Sequence, residues 1–307
     1  MAFKVLKPGM LTLLQDLGRH GYQHLGVTSG GPMDEVAFRW GNALLDNPDN
    51  SPQLEITFGM LSLEATQPTS IAIVGADLEA TINGEAAMPW QTYEIKAGDV
   101  IHFQQSKFGL RAYLAVKGGF LAAPVLGSVA TVMRESLGGF DGKGSKVQKG
   151  DLLPFHATSN HTPRHLPRLA IPNYEQVEID VVTGYQYARF SGLDRARFFN
   201  SDYTLSQNCD RMGYRLEGQA VGQDQPGIIS EGIAYGAIQI PSDGNPIVLL
   251  KDRQTIGGYP KIGCVTSISG GLLAQKKPGD KIGFRFMTID QAERERHLQM
   301  SRINQWR

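Results

Sequence analysis

The sequence predicts a mainly β protein built from short strands that are separated by tight turns. Three observations support this class. Short apolar or alternating runs recur along the chain, bounded by glycine, proline or Asn/Asp turns. Glycine accounts for 36 of 307 residues, about 12% against a usual ~7%, without a collagen-like period. One Gly-Asp turn unit occurs three times. A chain of this length holds about two domains, or one large β-rich domain.

The predicted strands are short runs, and several follow the repeated turn. The turn unit begins at Lys96, Gln148 and Lys277; in each copy Gly-Asp opens a strand, and a phenylalanine stands four residues after the aspartate. Because glycine supplies the positive φ of such turns, we interpret the unit as architectural rather than catalytic. The predicted strands are Val5-Leu6 and residues 70–76, 78–82, 100–103, 113–116, 177–182, 237–240 and 247–250.

Two helices are predicted from their apolar spacing. The first runs from Pro32 to Leu45 (32–45), with Pro32 in its first turn and Asn47-Pro48 ending it. The second runs from about Ile289 to the C-terminus, with Asp290 as a candidate cap, and its charges are typical of a solvated surface helix. The apolar face of the first helix comprises Val36, Ala37, Trp40, Ala43 and Leu44.

A domain boundary is predicted in the proline-rich segment Pro154–Pro172, which lacks periodicity. We therefore expect an N-terminal domain over residues 1–160, containing helix 32–45, and a C-terminal domain over residues 161–307, ending in a helix. The segment also holds His156, His161 and His165. A metal site there is conceivable, but a helical pair would need i, i+4 spacing and a nearby carboxylate, so we favour linker histidines.

Charge and cysteine content narrow the function classes. Thirty basic and thirty acidic residues give a net charge of +0, which argues against nucleic acid or an anionic membrane as the main partner. No apolar run approaches the ~18 residues of a membrane helix, and charges interrupt the N-terminal segment, so we expect a soluble, cytoplasmic protein. Cys209 and Cys264 are too few for a disulfide framework; we expect two buried thiols, with a single bridge as the alternative.

Several common catalytic motifs are absent from the sequence. There is no P-loop, since the nearest stretch, residues 138–145, has the wrong glycine spacing and reads as a loop. There is no dinucleotide-binding glycine motif before a helix and no Gly-x-Ser-x-Gly elbow. The lysine and free backbone amides of residues 138–145 could still meet a phosphate, whereas serine-hydrolase chemistry has no anchor in this chain.

Four glycine-rich polar clusters are the candidate site segments. Glycines before a helix expose backbone N–H groups that could bind an anion, or they could simply open a capped helix. Arginine offers a planar fork to carboxylates and phosphates, and aspartate can act as acid, base or metal ligand, although any one Asp–Arg pair could be a structural salt bridge. We expect the clusters to gather into one pocket. They span residues 15–21, 29–34, 210–215 and 251–261.

The same clusters carry a family resemblance. Over roughly residues 3 to 287 the chain is similar to the allophanate hydrolase subunit 2 (KipA) family, which is biotin-dependent-carboxyltransferase-like. Several spaced motifs in the right order are more specific than any single one. The matching motifs are Val5-Leu6-Lys7-Pro8-Gly9, Gln15-Asp16-x-Gly-Arg19-x-Gly21, Gly31-Pro32-Met33-Asp34, Gly41-Asn42, Leu54-Glu55-Ile56-Thr57, Asp210-Arg211-Met212-Gly213-Tyr214-Arg215-Leu216, Gln254-Thr255-x-Gly257-Gly258-Tyr259-Pro260, Leu273-Ala274-Gln275 and Pro278-Gly279-Asp280.

The resemblance implies a fold and a function. It implies two cyclophilin-like β-barrel domains with a few short helices, and a subunit of an ATP-dependent 5-oxoprolinase that opens 5-oxo-L-proline to L-glutamate. Its partners would be a Kip-inhibitor-like (KipI-like) B subunit and an A subunit, with ATP and Mg²⁺ as cosubstrate and no tightly bound cofactor. Two alternatives are a regulatory protein that antagonises a Kip-type kinase inhibitor, and the carboxyltransferase half-domain of a urea carboxylase. The latter needs a biotinylated carrier, and this chain has no biotinyl-lysine motif of its own.

The motif positions suggest roles for individual residues. We expect Asp34 and Asp252 to serve as acid/base or Mg²⁺-binding groups and Arg211 to act with them on an anion. No protein-held metal site is expected. The residues expected to bind substrate or phosphate are Asp16, Arg19, Gly30, Gly31, Arg253, Thr255, Gly257, Gly258 and Tyr259.

Overall fold

The computed structural model describes residues 1–156, 162–222 and 227–306. Over these ranges the chain forms twenty strands and four α-helices, which confirms the mainly β class. The chain divides into two compact units. The first comprises Met1–Arg19, Gly30–Pro172 and Met300–Arg307, and the second comprises His20–Ser29 and Asn173–Gln299.

The first unit contains two antiparallel sheets around one core. A six-stranded sheet has the order β11-β1-β4-β9-β6-β7, and a five-stranded sheet has the order β2-β3-β10-β5-β8. Both sheets supply fully buried side chains to the same cluster, for example Leu63 from the first and Leu114 from the second. The strands are β1 Ala2–Pro8, β2 Leu11–Gln15, β3 Gln53–Thr57, β4 Leu61–Ala65, β5 Thr69–Asp77, β6 Thr81–Ile82, β7 Glu85–Ala86, β8 Gln91–Ile95, β9 Val100–His102, β10 Phe108–Val116 and β11 Leu152–Pro154.

The helix of the first unit, α1, is Glu35–Leu44 and is shorter than the predicted 32–45. Asp34 caps it, because its side chain accepts a hydrogen bond from the Ala37 N–H. Pro32 therefore lies before the helix and not in its first turn. The apolar face is buried as the spacing predicted: Val36, Ala37, Trp40, Ala43 and Leu44.

The second unit is a closed barrel of seven strands in the order β12-β19-β16-β17-β14-β13-β20. The parallel pair of β12 with β20 closes the barrel, and the other pairs are antiparallel. A separate two-stranded ribbon pairs β15 with β18. The elements are β12 Glu178–Thr183, α2 Gly192–Asn200, β13 Asp202–Cys209, β14 Gly213–Gly218, β15 Glu231–Gly232, β16 Ala237–Gln239, β17 Ile247–Leu249, β18 Ile256–Gly257, β19 Lys261–Val265, α3 Ser267–Leu273 and β20 Lys281–Phe286. The last helix, α4 Ile289–Trp306, begins in this unit and ends in the first.

The repeated Gly-Asp unit forms the same turn three times. In each copy the aspartate side chain accepts a hydrogen bond from the backbone N–H three residues earlier, at 2.7, 2.7 and 2.8 Å for Asp99, Asp151 and Asp280. The preceding glycines have φ of 89°, 90° and 91°. The phenylalanines that follow are all buried. The three turns lead directly into strands β9, β11 and β20, which agrees with an architectural role for the unit.

Several boundaries differ from the prediction. The main change of unit falls after Pro172 rather than at residue 160. Segment 20–29 belongs to the second unit and segment 300–307 to the first. Packing between segments that are far apart in sequence leaves no local signal, so the sequence did not predict these assignments. The last helix begins at Ile289, so Thr288 and not Asp290 precedes it. Thr288 Oγ1 accepts from the Gln291 N–H, while Gln291 Oε1 accepts from the Thr288 N–H, which is a capping box. Helices α2 and α3 were not predicted.

The cysteines, the histidine segment and the helices bear on the remaining expectations from the sequence. Both cysteines are partly buried, and the bridge between them is not formed. His161 lies outside the described residues. Among the residues that the structure does describe, no group of three His, Cys, Asp or Glu side chains could hold a metal ion. None of the helices in these ranges is long and apolar enough to cross a membrane.

Candidate functional site

The candidate site lies on the outer face of the second unit's barrel. Successive side chains of a strand alternate between faces, and paired residues share a face. Large buried side chains fill one face, which is therefore the interior: Ile179, Val181, Tyr203, Leu205, Tyr214, Leu216, Ile238, Val248 and Ile282. The opposite face of β16, β17 and β19 carries Ala237, Gln239, Leu249, Lys261 and Cys264.

The β15–β18 ribbon covers this outer face. Ile233, which follows β15, packs against Ala237 and Leu249. Glu231 pairs with Gly257 across the ribbon, while Gln239 pairs with Lys261 across the barrel strands beneath. The two layers touch at both pairs: Glu231 forms an ion pair with Lys261, and Gln239 Nε2 lies 2.8 Å from where a Gly257 Cβ would stand. The ribbon and the barrel thus bring four residues into one polar cluster, which we call the amide cluster: Glu231, Gln239, Gly257 and Lys261.

Glu231 is held in place through a single carboxylate oxygen. Its Oε1 receives the Lys261 ammonium, the Tyr185 hydroxyl and, at 2.8 Å, the Gln186 amide. Gln186 also fixes the strand beneath, since its Oε1 accepts from the Lys261 backbone N–H at 2.7 Å. The side chain of Glu231 is 33% exposed, and its Oε2 has no hydrogen-bond donor among the described residues. The carboxylate is therefore oriented and has a free acceptor oxygen that solvent or a ligand can reach.

The hydrogen bond from Lys261 lowers the pKa of Glu231, and the bond from Tyr185 acts in the same direction. The same contact raises the pKa of Tyr185, because a phenol that donates to a carboxylate loses that bond on ionising. Glu231 is thus a carboxylate near neutral pH, and Tyr185 is its neutral donor.

Two buried donors of the cluster are under-used. Gln239 is 2% exposed and Lys261 is 7% exposed. Within the described ranges, Gln239 Nε2 has no hydrogen-bond acceptor, and the Lys261 ammonium has only its ion pair with Glu231. A buried donor without an acceptor costs about 1–3 kcal/mol. Gln239 Nε2 is such a donor, and the ammonium of the residue paired with it has a single partner, so this arrangement of buried polar groups needs an explanation.

Arg211 and Asp252, both predicted to be catalytic, form a buried ion pair in this unit. Nε and Nη2 of Arg211 each donate to a different Asp252 oxygen, at 2.9 Å. The backbones are paired as well, because the Asp252 N–H donates to the Arg211 carbonyl at 2.8 Å. This bidentate geometry is the salt-bridge alternative that the sequence left open. The contacts are those of a structural pair, and a catalytic role for either residue stays a prediction.

Arg253 also bonds to backbone carbonyls. Its guanidinium donates to the carbonyls of Ile233 and Leu250, at 3.1 Å each, and its own carbonyl accepts from the Thr28 hydroxyl. Burial lowers its pKa, while Tyr235 is the largest opposing influence. Arg253 therefore holds the segment 228–236 against the end of β17, which positions the strand that carries Glu231.

The remaining predicted residues of this unit lie on or beside the ribbon. Thr255 accepts a backbone hydrogen bond from Ile233. Gly257 is in β18, and Gly258 accepts from the Ile228 N–H. Tyr259 is 43% exposed. Of the predicted binding residues in this unit, Gly257 is the one that lies in the amide cluster.

In the first unit, Asp16 and Arg19 hold one loop. Asp16 accepts hydrogen bonds from the Gly18 and Val129 N–H groups, both at 2.9 Å, and from the Ser128 hydroxyl. Arg19 Nη2 donates to the carbonyls of Ser128 and Ala130. Together they brace residues 125–130 against the end of β2. Substrate binding by either residue stays a prediction.

Gly30, Gly31 and Asp34 form the approach to α1. Both glycines have positive φ, and a Cβ on Gly30 would stand 2.8 Å from Val132 Cγ2. The Gly31 N–H donates to Gln15 Oε1 at 3.2 Å. Asp34 caps the helix, and its N–H donates to the Tyr113 hydroxyl at 2.7 Å. These contacts match the capped-helix alternative, and anion binding or acid/base work here is untested.

A buried carboxylate supports this approach from below. Glu55 Oε2 accepts from the Met33 N–H and from the Tyr113 hydroxyl, both at 2.8 Å. Burial, and then the nearby Glu55 and Asp34 charges, raise the pKa of Tyr113 well above its usual range. Tyr113 therefore stays a neutral donor that ties the loop to β3 and β10.

Five residues of the cluster and its support were not predicted as site residues: Glu231, Gln239, Lys261, Tyr185 and Gln186. One signal was present: Gln239 interrupts an otherwise apolar buried strand, and Lys261 opens another. Glu231 gave no such signal, because it lies in a two-residue strand and reaches its partners only through the folded ribbon.

Comparison with known proteins places the chain in a family. It matches the carboxyltransferase domain, subdomain A and B, over residues 25–286. It is 34% identical over 309 residues to the C subunit of 5-oxoprolinase from Escherichia coli, covering 99% of this chain and 98% of that protein. It is 34% identical over 284 residues to the C subunit of 5-oxoprolinase from Haemophilus influenzae, covering 92% and 90%.

A solved structure agrees with this family. The crystal structure of the K. lactis urea amidolyase superposes with a TM-score of 0.92 at 28% identity, covering 100% of this chain and 20% of that one. The chain thus spans about one fifth of that larger protein. These matches confirm the resemblance seen in the motifs: the chain belongs to the carboxyltransferase domain, subdomain A and B, family.

Proposed function

We propose that this chain is the C subunit of an ATP-dependent 5-oxoprolinase, which opens 5-oxo-L-proline to L-glutamate. The observation that carries this proposal is the end-to-end match to the C subunit of the E. coli 5-oxoprolinase, at 34% identity over 99% of this chain and 98% of that protein. Because the match covers both proteins almost completely, it supports the same subunit role rather than a shared domain within a larger enzyme.

The chemistry explains why ATP would be needed. A lactam carbonyl is stabilised by resonance, and its nitrogen is a poor leaving group. Transfer of the ATP γ-phosphoryl group to the lactam oxygen would make the ring carbon electrophilic. Water then adds to that carbon, and the C–N bond breaks with proton transfer to nitrogen, which leaves an acyl phosphate. A second water hydrolyses the acyl phosphate, so one lactam, one ATP and two waters give glutamate, ADP and phosphate.

Such a reaction needs a place for the amide, cations or N–H groups for phosphates, and a carboxylate for Mg²⁺ or for proton transfer. The amide cluster offers the first of these. For the phosphates and Mg²⁺ we keep Arg19, Arg211, Asp34 and Asp252 as candidates from the motifs. Because Asp252 and Arg211 bind each other at both oxygens, their use in catalysis would require a partner that opens the pair.

We also propose that the chain works in a complex with a KipI-like B subunit and an A subunit. Its two 5-oxoprolinase relatives are themselves subunits, which supports a complex of some kind. The test is reconstitution: the chain is co-expressed with its cognate A and B subunits, and ADP and glutamate are measured with and without 5-oxo-L-proline. We expect lactam-dependent glutamate only when all three chains are present. A three-subunit mixture without lactam-dependent glutamate would refute the proposal.

A second candidate is carboxyl transfer, which the TM-score of 0.92 to urea amidolyase favours. Its test uses the same preparation with a carboxylated biotinyl carrier and urea in place of ATP and lactam. Carboxyl transfer to urea without any lactam opening would replace the first proposal by this one. If neither reaction occurs but a KipI-like chain is bound tightly, the regulatory alternative remains.

A further inference from the structure

The amide cluster combines one free acceptor with two under-used donors. The acceptor is Glu231 Oε2, because the three donors on this carboxylate all bind Oε1. The donors are Gln239 Nε2 and the Lys261 ammonium, which are buried on residues paired across β16 and β19. Gly257, which is paired with Glu231, lets the ribbon lie close over these donors, because a Cβ there would stand 2.8 Å from Gln239 Nε2.

A ligand that satisfies all three groups must present an oxygen acceptor and an N–H donor on the same edge. An amide with its C=O and N–H on one side has this pattern, and a lactam ring or urea enforces it. We infer that Glu231, Lys261 and Gln239 bind the cis-amide edge of the substrate, with Glu231 Oε2 accepting the amide N–H and the two donors facing the amide oxygen. The identification of that amide as 5-oxo-L-proline rests on the proposed function.

The charges of the cluster favour a neutral group at this position. The Glu231 carboxylate and the Lys261 ammonium form one ion pair with no net charge. A phosphate or carboxylate placed here would meet Glu231, and an ammonium would meet Lys261. A neutral amide avoids both repulsions and uses all three groups.

The same arrangement would assist reaction at the amide. Negative charge grows on the oxygen when its carbon is attacked, and an ammonium with an amide N–H beside it stabilises that charge. Glu231 would meanwhile hold the N–H and so orient the ring. Access is from the side of Glu231 and Tyr185, which are 33% and 76% exposed.

The test compares 5-oxo-L-proline with its γ-lactone analogue, in which a ring oxygen replaces the N–H. Dissociation constants are measured by titration calorimetry on the assembled three-subunit complex without ATP. A hydrogen bond to a charged group predicts that the wild type prefers the lactam by about 10-fold to 100-fold. In Glu231→Ala the preference should fall to about one, because the lactone no longer faces a carboxylate.

Two further variants separate the donors from the acceptor. Lys261→Met and Gln239→Leu should weaken lactam and lactone alike, by about 10-fold, and leave their ratio near the wild-type value. Glu217→Ala is the matched control, since Glu217 is an exposed carboxylate on the same barrel; it should change neither affinity nor ratio. A wild-type ratio in Glu231→Ala, or unchanged affinities in both donor variants, would overturn the inference.

Glu231→Ala leaves Lys261 buried without its partner, so it could fail to fold. Tyr185→Phe then decides, because Tyr185 is 76% exposed and its hydroxyl contacts the cluster from outside, donating to Glu231 and accepting from Gln186 Nε2 at 3.1 Å. This variant should reduce the lactam preference by at least about threefold, and an unchanged ratio would count against the cluster.

The outcome also separates this inference from the proposed function. If the complex binds neither lactam nor lactone, the 5-oxoprolinase assignment fails, and the same variants are titrated with urea and tetramethylurea, which lacks N–H groups. A urea preference that Glu231→Ala removes would support the amide site without the oxoprolinase function. If no amide binds at all, the inference is wrong.

Discussion

Replacement of Gly257 by alanine tests whether the β15–β18 ribbon must lie close to the barrel. Gly257 lies outside the left-handed region of φ, so space and not backbone strain limits a side chain there. A Cβ would stand 2.6 Å from Ile233 Cδ1 and 2.8 Å from Gln239 Nε2. Real Cβ atoms essentially never approach a neighbour closer than 3.0 Å, and both neighbours are buried in a close-packed site. The alanine must therefore push the ribbon away or displace Gln239.

The expected cost follows from this overlap. Inserting a methyl group into a packed site costs about 1–3 kcal/mol, and each kcal/mol lowers the melting temperature of a chain of this size by about 2–4 °C. Gly257→Ala should thus lower the melting temperature by several degrees in calorimetry and weaken lactam binding. The matched control is Gly232→Ala on the paired strand, where a Cβ meets nothing within 4 Å. Alanine there should be neutral, or stabilising by about 0.4–1 kcal/mol.

If Gly257→Ala and Gly232→Ala have the same effect on stability and binding, the ribbon does not need to lie close to the barrel. Equal melting temperatures and equal lactam affinities would mean that the ribbon yields to a methyl group at no cost. The amide cluster would then not be a defined site. If Gly257→Ala keeps its stability but loses lactam affinity, the ribbon moves independently, and hydrogen exchange at Ile233 should rise in this variant.

The remaining predictions concern other parts of the molecule. Asp252→Ala should destabilise the protein by about 3–5 kcal/mol in urea unfolding, because it removes the carboxylate that two nitrogens of the buried Arg211 bind. By our proposal it should also remove glutamate formation, and intact turnover would make the pair purely structural. Asp34→Ala should cost about 1 kcal/mol through loss of the α1 cap, while Asp34→Asn should keep most of it, and equal losses in both would point to a role beyond capping. Asp151→Ala and Asp280→Ala should each cost about 1 kcal/mol, because each removes the same turn hydrogen bond; Asp99→Ala should cost more, because Asp99 also accepts from Asn83 Nδ2 at 2.8 Å, and a loss in one copy alone would contradict this. The pKa of Glu231 is lowered from 4.5, so the contribution of its ionised form to stability should be present above pH 4.5 and be lost as the pH falls through the lower pKa of the folded state. Glu231→Ala should therefore flatten the acid side of a curve of stability against pH. An unchanged curve would contradict the ion pair.

The sequence predicted the parts of the fold that depend on local rules. The Gly-Asp turns were recognisable because glycine tolerates positive φ and aspartate bonds back to the chain within three residues. The apolar face of α1 was recognisable because its period matches a helix. Asp34 was singled out for chemistry, although the same local rules already allowed it to cap the helix. The cap of α4 was misplaced by two residues, since Thr288 and Gln291 form a capping box that the charge pattern around Asp290 obscured.

The candidate site depended on information that is not local. Gln239 and Lys261 become neighbours only through the register of β16 and β19, where a bulge shifts the pairing. Glu231 joins them only because the ribbon folds back over the outer face of the barrel. A polar residue inside a buried strand can be noticed in the sequence, but its partners cannot be read from spacing, since Lys261 lies 22 residues from Gln239 and 30 residues from Glu231. The resemblance to a family implied the β-barrel fold of the chain, but it did not indicate the residues of the amide cluster.

The Arg211–Asp252 ion pair and the amide cluster differ in how many of their donors and acceptors are hydrogen-bonded, and this difference indicates which of them binds a ligand. Arg211 and Asp252 satisfy each other at both oxygens, so their arrangement is complete without a ligand. Within the described ranges, Glu231 receives three donors on one oxygen and none on the other, Gln239 Nε2 has no acceptor, and the Lys261 ammonium has only its ion pair with Glu231. Folding alone gains nothing from that imbalance, because each unused buried group lowers the stability of the chain. A bound amide would remove the imbalance at all three groups, and so the amide cluster, rather than the better-formed ion pair, is the place where the chain is expected to meet its substrate.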